Sequence, residues 1–172
     1  MFGLIVYGSL LHKDEINKYD SMIEDIIPVK VLDYKRSFNL LPAVRIGVGN
    51  YKSVLNIEES KNDSFNGVCI IYKEIDIALI DDRERGYDRI MLDSNNIQTY
   101  NNDILLDSMN VYVYRGFKHM IDYSIMPNVD YLKLCLEGSQ QWGKEFHQDF
   151  IETTYMNNNN TLYDFIDSDF TL

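Results

Sequence analysis

The order of hydrophobic periods along the chain restricts its fold more than any other feature. Segments rich in β-branched and aromatic residues at strand-like spacing fill the first two thirds, at 3–7, 28–39, 53–57, 67–72, 87–93 and 109–114. In the second of these, Val29 and Val31 keep one phase and Tyr34, Arg36 and Phe38 the other, so the alternation slips once. Helical spacing is rarer. Ile75, Ala78 and Leu79 precede a charged end at Asp81 to Arg85 and a stop at Gly86. Leu132, Cys135 and Leu136 follow Asn128, a good N-cap, and Phe146, Phe150, Ile151 and Thr154 follow the break at Gly143. Strands with one interposed helix and then a helical C-terminal part imply an α+β fold and not a regular βαβ wind.

Length and composition agree with one ordinary domain. A chain of 172 residues with 45% hydrophobic, 25% charged and 13% aromatic residues can bury a core without disulfides or a structural metal. The body is expected to run over 1–155, with 156–172 an acidic tail that docks weakly, if at all, and is dispensable for folding. Sixteen basic against 27 acidic residues leave a formal charge of −11, and no basic patch reverses it, which speaks against nucleic acid and anionic membrane partners. The apolar start at 2–7 lacks the flanks of a signal peptide, and no run approaches the ~20 residues of a membrane span. The expectation is a cytoplasmic protein with Cys69 and Cys135 as core thiols.

Few groups carry chemistry. The histidines, His12, His119 and His147, match no metal-binding spacing, so no metal and no cofactor is expected. Ser9 lacks the surroundings of a serine nucleophile. Tyr7-Gly8-Ser9-Leu10 places a glycine at a strand end, where backbone N–H groups can converge on a carboxylate or an oxyanion; an ordinary strand-to-turn junction is the alternative. In the cluster 81–89, Glu84 is expected in the last turn of a helix, where the negative end of the dipole raises a carboxyl pKa while Arg83 and Arg85 lower it. A solvated, charge-balanced helix end explains the same residues, and Asp81 and Asp82 are expected to tolerate replacement by Asn.

Several motifs in one order resemble the γ-glutamylcyclotransferase family. They are Tyr7-Gly8-Ser9-Leu10, Val31-x-x-Tyr34-x-Arg36-x-Phe38, Gly67-Val68, Asp81-x-x-Glu84 with Gly86-Tyr87 and Arg89, and Tyr131-Leu132 with Gly138 and Gly143. Asp33 stands where that family usually has Gly, and Arg85 separates Glu84 from Gly86. The resemblance implies a small mixed β-barrel with helices packed outside, and a small-molecule γ-glutamyl substrate. It implies further that the 7–10 loop binds the glutamyl group through backbone amides, that Glu84 is the general acid/base, and that Tyr112 donates a hydroxyl. The implied reaction closes the γ-glutamyl group to 5-oxoproline and releases an amine or amino acid. Two alternatives accompany it: the same chemistry on a γ-glutamyl-tagged amine of a biosynthetic or salvage pathway, or a non-catalytic γ-glutamyl-binding module, which the carboxylate at position 84 disfavours. Neither the oligomeric state nor the amine released can be read from the sequence.

Overall fold

The computed structural model describes the chain apart from residues 19–21, 44, 46, 74–76, 101–105, 107–108, 157–159 and 170–172; for 167–169 the backbone alone is described. In chain order the strands are β1 (Phe2–Val6), β2 (Ile23–Leu40), β3 (Tyr51–Tyr72), β4 (Tyr87–Leu92), β5 (Ile97–Thr99), β6 (Val111–Gly116), β7 (Met126–Pro127) and β8 (Thr154–Tyr155). The helices are α1 (Lys13–Asn17), α2 (Ile77–Asp81), α3 (Val129–Gln140), α4 (Lys144–Thr153) and α5 (Leu162–Asp169).

The spine is one long antiparallel hairpin of β2 and β3, paired from Ile23 opposite Tyr72 to Leu40 opposite Val54. The strands expected at 53–57 and 67–72 are therefore one strand. Polar residues between them carry no alternation; Glu58, Glu59 and Ser64 stay paired with Lys35, Tyr34 and Leu32, and 60–63 bulge out of the ladder opposite Asp33. The slip in period is a β-bulge between Leu32 and Tyr34, with Asp33 at φ 63°. Across from it Asn62 has φ 71°, and its N–H donates to Asp33 Oδ1 at 3.1 Å. A short polar side chain that bonds the turn locally tolerates this left-handed conformation, so Asp serves where Gly would be the usual choice.

Around this hairpin the sheet runs β4-β6-β1-β3-β2-β5, with β7 on β3 and β8 on β2. β1 pairs parallel to β6 and antiparallel to β3, so the sheet is mixed. It curls strongly: the Gly116 N–H donates to Asn56 Oδ1 at 2.8 Å, and a Cβ on Gly116 would come within 2.4 Å of Leu40. β4 and β5 remain its two edges, so the expected small mixed β-barrel is a barrel in a loose sense, a curled but unclosed sheet within an α+β fold.

Helices pack outside this sheet. Asn128 Oδ1 accepts from the Tyr131 N–H at 3.0 Å and caps α3, which buries Tyr131, Leu132, Cys135 and Leu136. Arg36, fully buried, braces β2 to the end of α4. Its guanidinium donates to Asn66 O at 2.6 Å, Thr154 Oγ1 at 2.8 Å and Phe150 O at 3.1 Å, and it lies 4.0 Å from the Phe150 ring centre. Burial lowers its pKa to about 9, which leaves it charged at neutral pH. Beyond residue 155, Met156 and Leu162 are buried with the core, and Thr161 and Asp164 exchange side chain-to-backbone hydrogen bonds that start α5. Among the described residues no helix is long and apolar enough to cross a membrane.

Candidate active site

The end of β1 opens into a cavity of about 430 Å³ lined by Tyr7, Gly8, Ser9 and Leu10, by Glu84 and by Tyr131, among others. After Val6 the chain leaves the ladder and turns through a short 3-10 segment, Ser9–Leu11, whose first bond runs from the Leu11 N–H to Gly8 O at 2.9 Å. Such a start leaves early N–H groups without intrahelical partners. Those of Gly8, Ser9 and Leu10 have no acceptor among the described residues. The glycine makes room: a Cβ at position 8 would lie 2.4 Å from Tyr131 Oη.

Glu84 lines the same cavity. α2 ends at Asp81, earlier than the charge pattern suggests, and the chain turns through 82–86 before β4. Within the turn the Glu84 N–H donates to Ile80 O at 3.1 Å and the Tyr87 N–H to Glu84 O at 3.2 Å. Gly86, at φ 96°, makes the reversal. The Glu84 carboxyl is raised above the ordinary range chiefly by burial, with Arg83 pulling it down. Desolvation therefore outweighs the Arg83 charge in setting the direction of the shift. A smaller space of about 30 Å³, walled by Leu10, Ile16, Ile70 and Ile80, adjoins Glu84 on the far side.

Four tyrosines line the cavity, and their hydroxyls differ in commitment. Tyr7 donates to Tyr114 O at 2.7 Å, Tyr87 to Leu55 O at 2.9 Å and Tyr114 to Asp81 Oδ1 at 2.6 Å. Tyr131, only 6% exposed, has the Cys135 thiol, one helical turn on, as the hydrogen-bond partner of its hydroxyl. Burial raises the pKa of all four, so each is a neutral donor at physiological pH. Arg45 spans the mouth: its guanidinium lies 4.8 Å from the Tyr131 ring centre and 3.3 Å from Ser9 Oγ.

Tyr7, Gly8, Ser9, Leu10 and Glu84 are thus brought together, whereas Tyr112 does not line the cavity. It lies on β6 two residues, about 7 Å, before Tyr114 on the same face. There its ring meets Phe2 edge-on at 6.0 Å and the Arg89 guanidinium at 5.1 Å. The hydroxyl that lies beside Gly8 is that of Tyr131; its signal was a tyrosine three residues after an N-cap, in the first turn of a helix. Arg45, in the loop between β2 and β3, had no sequence signal. Among the described residues no group of three or more His, Cys, Asp or Glu side chains is gathered to hold a metal.

No family model matches the sequence, and no curated protein matches it. Solved structures do match. One described as a gamma-glutamyl cyclotransferase has a TM-score of 0.61 at 15% identity, over 87% of this chain and 85% of that one. The uncharacterized human protein loc79017 has a TM-score of 0.65 at 17% identity, over 97% and 98%. A yeast gamma-glutamyl cyclotransferase specific to glutathione has a TM-score of 0.56 at 14% identity, over 88% and 94%. The open, curled mixed sheet with its outer helices is therefore a γ-glutamylcyclotransferase-like fold.

Proposed function

We propose that the chain is a cofactor-independent enzyme that cyclises a γ-glutamyl group to 5-oxoproline and releases an amine or amino acid. The observation that carries this reading is that one cavity is lined both by Glu84, whose carboxyl is raised by burial, and by a loop whose N–H groups have no acceptor among the described residues.

A γ-glutamyl compound holds its own nucleophile. Its α-amine attacks the γ-carbonyl carbon, the new N–C bond closes a five-membered lactam, and the bond to the leaving nitrogen breaks. Because the attack is intramolecular, the protein need only hold the folded conformer. The α-nitrogen loses two protons on its way from ammonium to lactam N–H; Glu84 accepts one and hands it to the departing nitrogen, which leaves as the amine, and the second goes to solvent. A carboxyl raised by burial is better matched to that exchange near neutrality than an ordinary one. The N–H groups of Gly8 to Leu10 and the Tyr131 hydroxyl stabilise the tetrahedral oxyanion, and Arg45 at the mouth suits the substrate α-carboxylate.

The glutathione specificity described for the yeast neighbour places glutathione in the test panel, beside γ-glutamyl dipeptides and γ-glutamyl amines. Incubation followed by amino-acid analysis should show 5-oxoproline and a free amine in equal amounts from at least one of them. Stable binding without turnover of any member supports the binding-module alternative. The cytoplasm, where two buried free thiols stay reduced, is the compartment this reading assigns.

A further inference from the structure

The turn that carries Glu84 is poorly anchored by packing. α2 has no buried residue, and Ile80 only partly packs against the core. Polar ties do the holding. Three residues after Glu84, the Tyr87 hydroxyl is fixed on Leu55 O. Three residues before it, Asp81 accepts from the Tyr114 hydroxyl at 2.6 Å through Oδ1 and lies 3.1 Å from Arg89 Nη1 through Oδ2. The Arg89 contact is an ion pair without a well-directed hydrogen bond, so Tyr114 supplies the directional part. Tyr114 is itself only 6% exposed, and its carbonyl receives the Tyr7 hydroxyl. One tyrosine on β6 therefore joins the loop that carries the amides to the turn that carries the carboxylate.

We infer that Asp81 is a positioning residue for Glu84, acting through Tyr114, and that this tie sets the distance between the carboxylate and the 7–10 loop. The inference rests on the cyclising reading of the site. An error of about 1 Å in that distance can cost on the order of 10²-fold in rate. Without the tie, the turn swings towards solvent while the rest of the sheet keeps its pairing. Around the carboxyl, Arg83 comes from its own turn, Tyr7 from the end of β1, Tyr87 from β4, Tyr114 from β6 and Glu15 from α1.

The test uses the full chain with Asp81→Asn, Tyr114→Phe, their double variant and Asp82→Asn as control. Two readouts are taken: 5-oxoproline release, and titration of the Glu84 carboxyl followed by ¹³C NMR. The bond from Tyr114 replaces the tolerance expected of Asp81 from its sequence with a positioning role: Asp81→Asn and Tyr114→Phe should each lower kcat about 10- to 100-fold with little change in KM, and the double variant should be no worse than the poorer single one. In both single variants Glu84 should titrate closer to the ordinary carboxylate range as it regains water. Tyr114→Phe removes no charge at neutral pH, so a fall there reports displacement and not a lost field. Asp82→Asn should leave both readouts at wild-type values. An unchanged Glu84 titration in Tyr114→Phe overturns the inference, as does an unchanged kcat in an active protein. A wild type that releases no 5-oxoproline defeats the cyclising reading alone, because the titration still decides whether the tie positions Glu84.

Discussion

The Tyr131 hydroxyl occupies the space that any side chain at Gly8 would need, 2.4 Å from where a Cβ would stand. Gly8→Ala must therefore displace the phenol or move the loop, and Gly8→Val more so. Both should lose most of the turnover. Ser9→Ala should keep much of it if the loop acts, as proposed, through its N–H groups. Equal losses in Gly8→Ala and Ser9→Ala, measured as kcat/KM, would point to the Ser9 hydroxyl as the working group.

Tyr131→Phe removes a hydroxyl at the loop whose partner is only the weakly accepting Cys135 thiol, and should cost about 1 to 3 kcal/mol in transition-state stabilisation with little change in melting temperature. Tyr112→Phe should leave kcat/KM near the wild-type value, since that ring packs on Phe2 outside the cavity. A reversed ranking of the two variants would return the hydroxyl role to β6.

Glu84 links activity to stability with a definite sign. Its carboxyl is raised in the folded protein, so folding favours the protonated form; that contribution is complete below the ordinary carboxylate pKa and is lost as pH rises through the folded value. Glu84→Gln escapes the cost of burying a charge. Its melting temperature should exceed that of the wild type near neutral pH, and the gap should close in acid. A gap of constant size from pH 3 to pH 8 would show that Glu84 is not desolvated.

Leu162 is fully buried, beyond the boundary expected at 155. Leu162→Ala should destabilise the chain by about 2 to 5 kcal/mol in denaturant titration, and truncation after Met156 should cost at least as much. Wild-type stability of the truncated chain would make 156–172 the dispensable tail that its composition suggests.

What the sequence made legible follows from where its signals are local. Strands buried on one face, such as Val29 and Val31 or Val111 and Val113, announce themselves by alternation, and Asn128 and Gly143 mark the starts of α3 and α4. The joining of β3 through Glu58 to Ser64 did not show, because the side chains there are polar and the ladder with β2 is interrupted by a bulge at 60–63. α5 was overlooked although Thr161 and Asp164 carry a capping pattern, because the asparagines before it dominate the composition. In the site, Tyr7 to Leu10 and Glu84 were legible as motifs. Tyr131 over Tyr112 was not, since two tyrosines on different elements can be ranked only once the fold sets their distances from Gly8.

Glu84→Gln is the most direct test of the central claim that this carboxyl moves the proton between the α-amine and the leaving nitrogen. The amide keeps the volume and much of the hydrogen-bonding shape but cannot accept the proton. Release of 5-oxoproline from a γ-glutamyl substrate accepted by the wild type should fall by about 10² to 10⁴-fold. The variant should still bind that substrate, because the loop amides and Tyr131 are untouched. Release at the wild-type rate in Glu84→Gln would contradict the account.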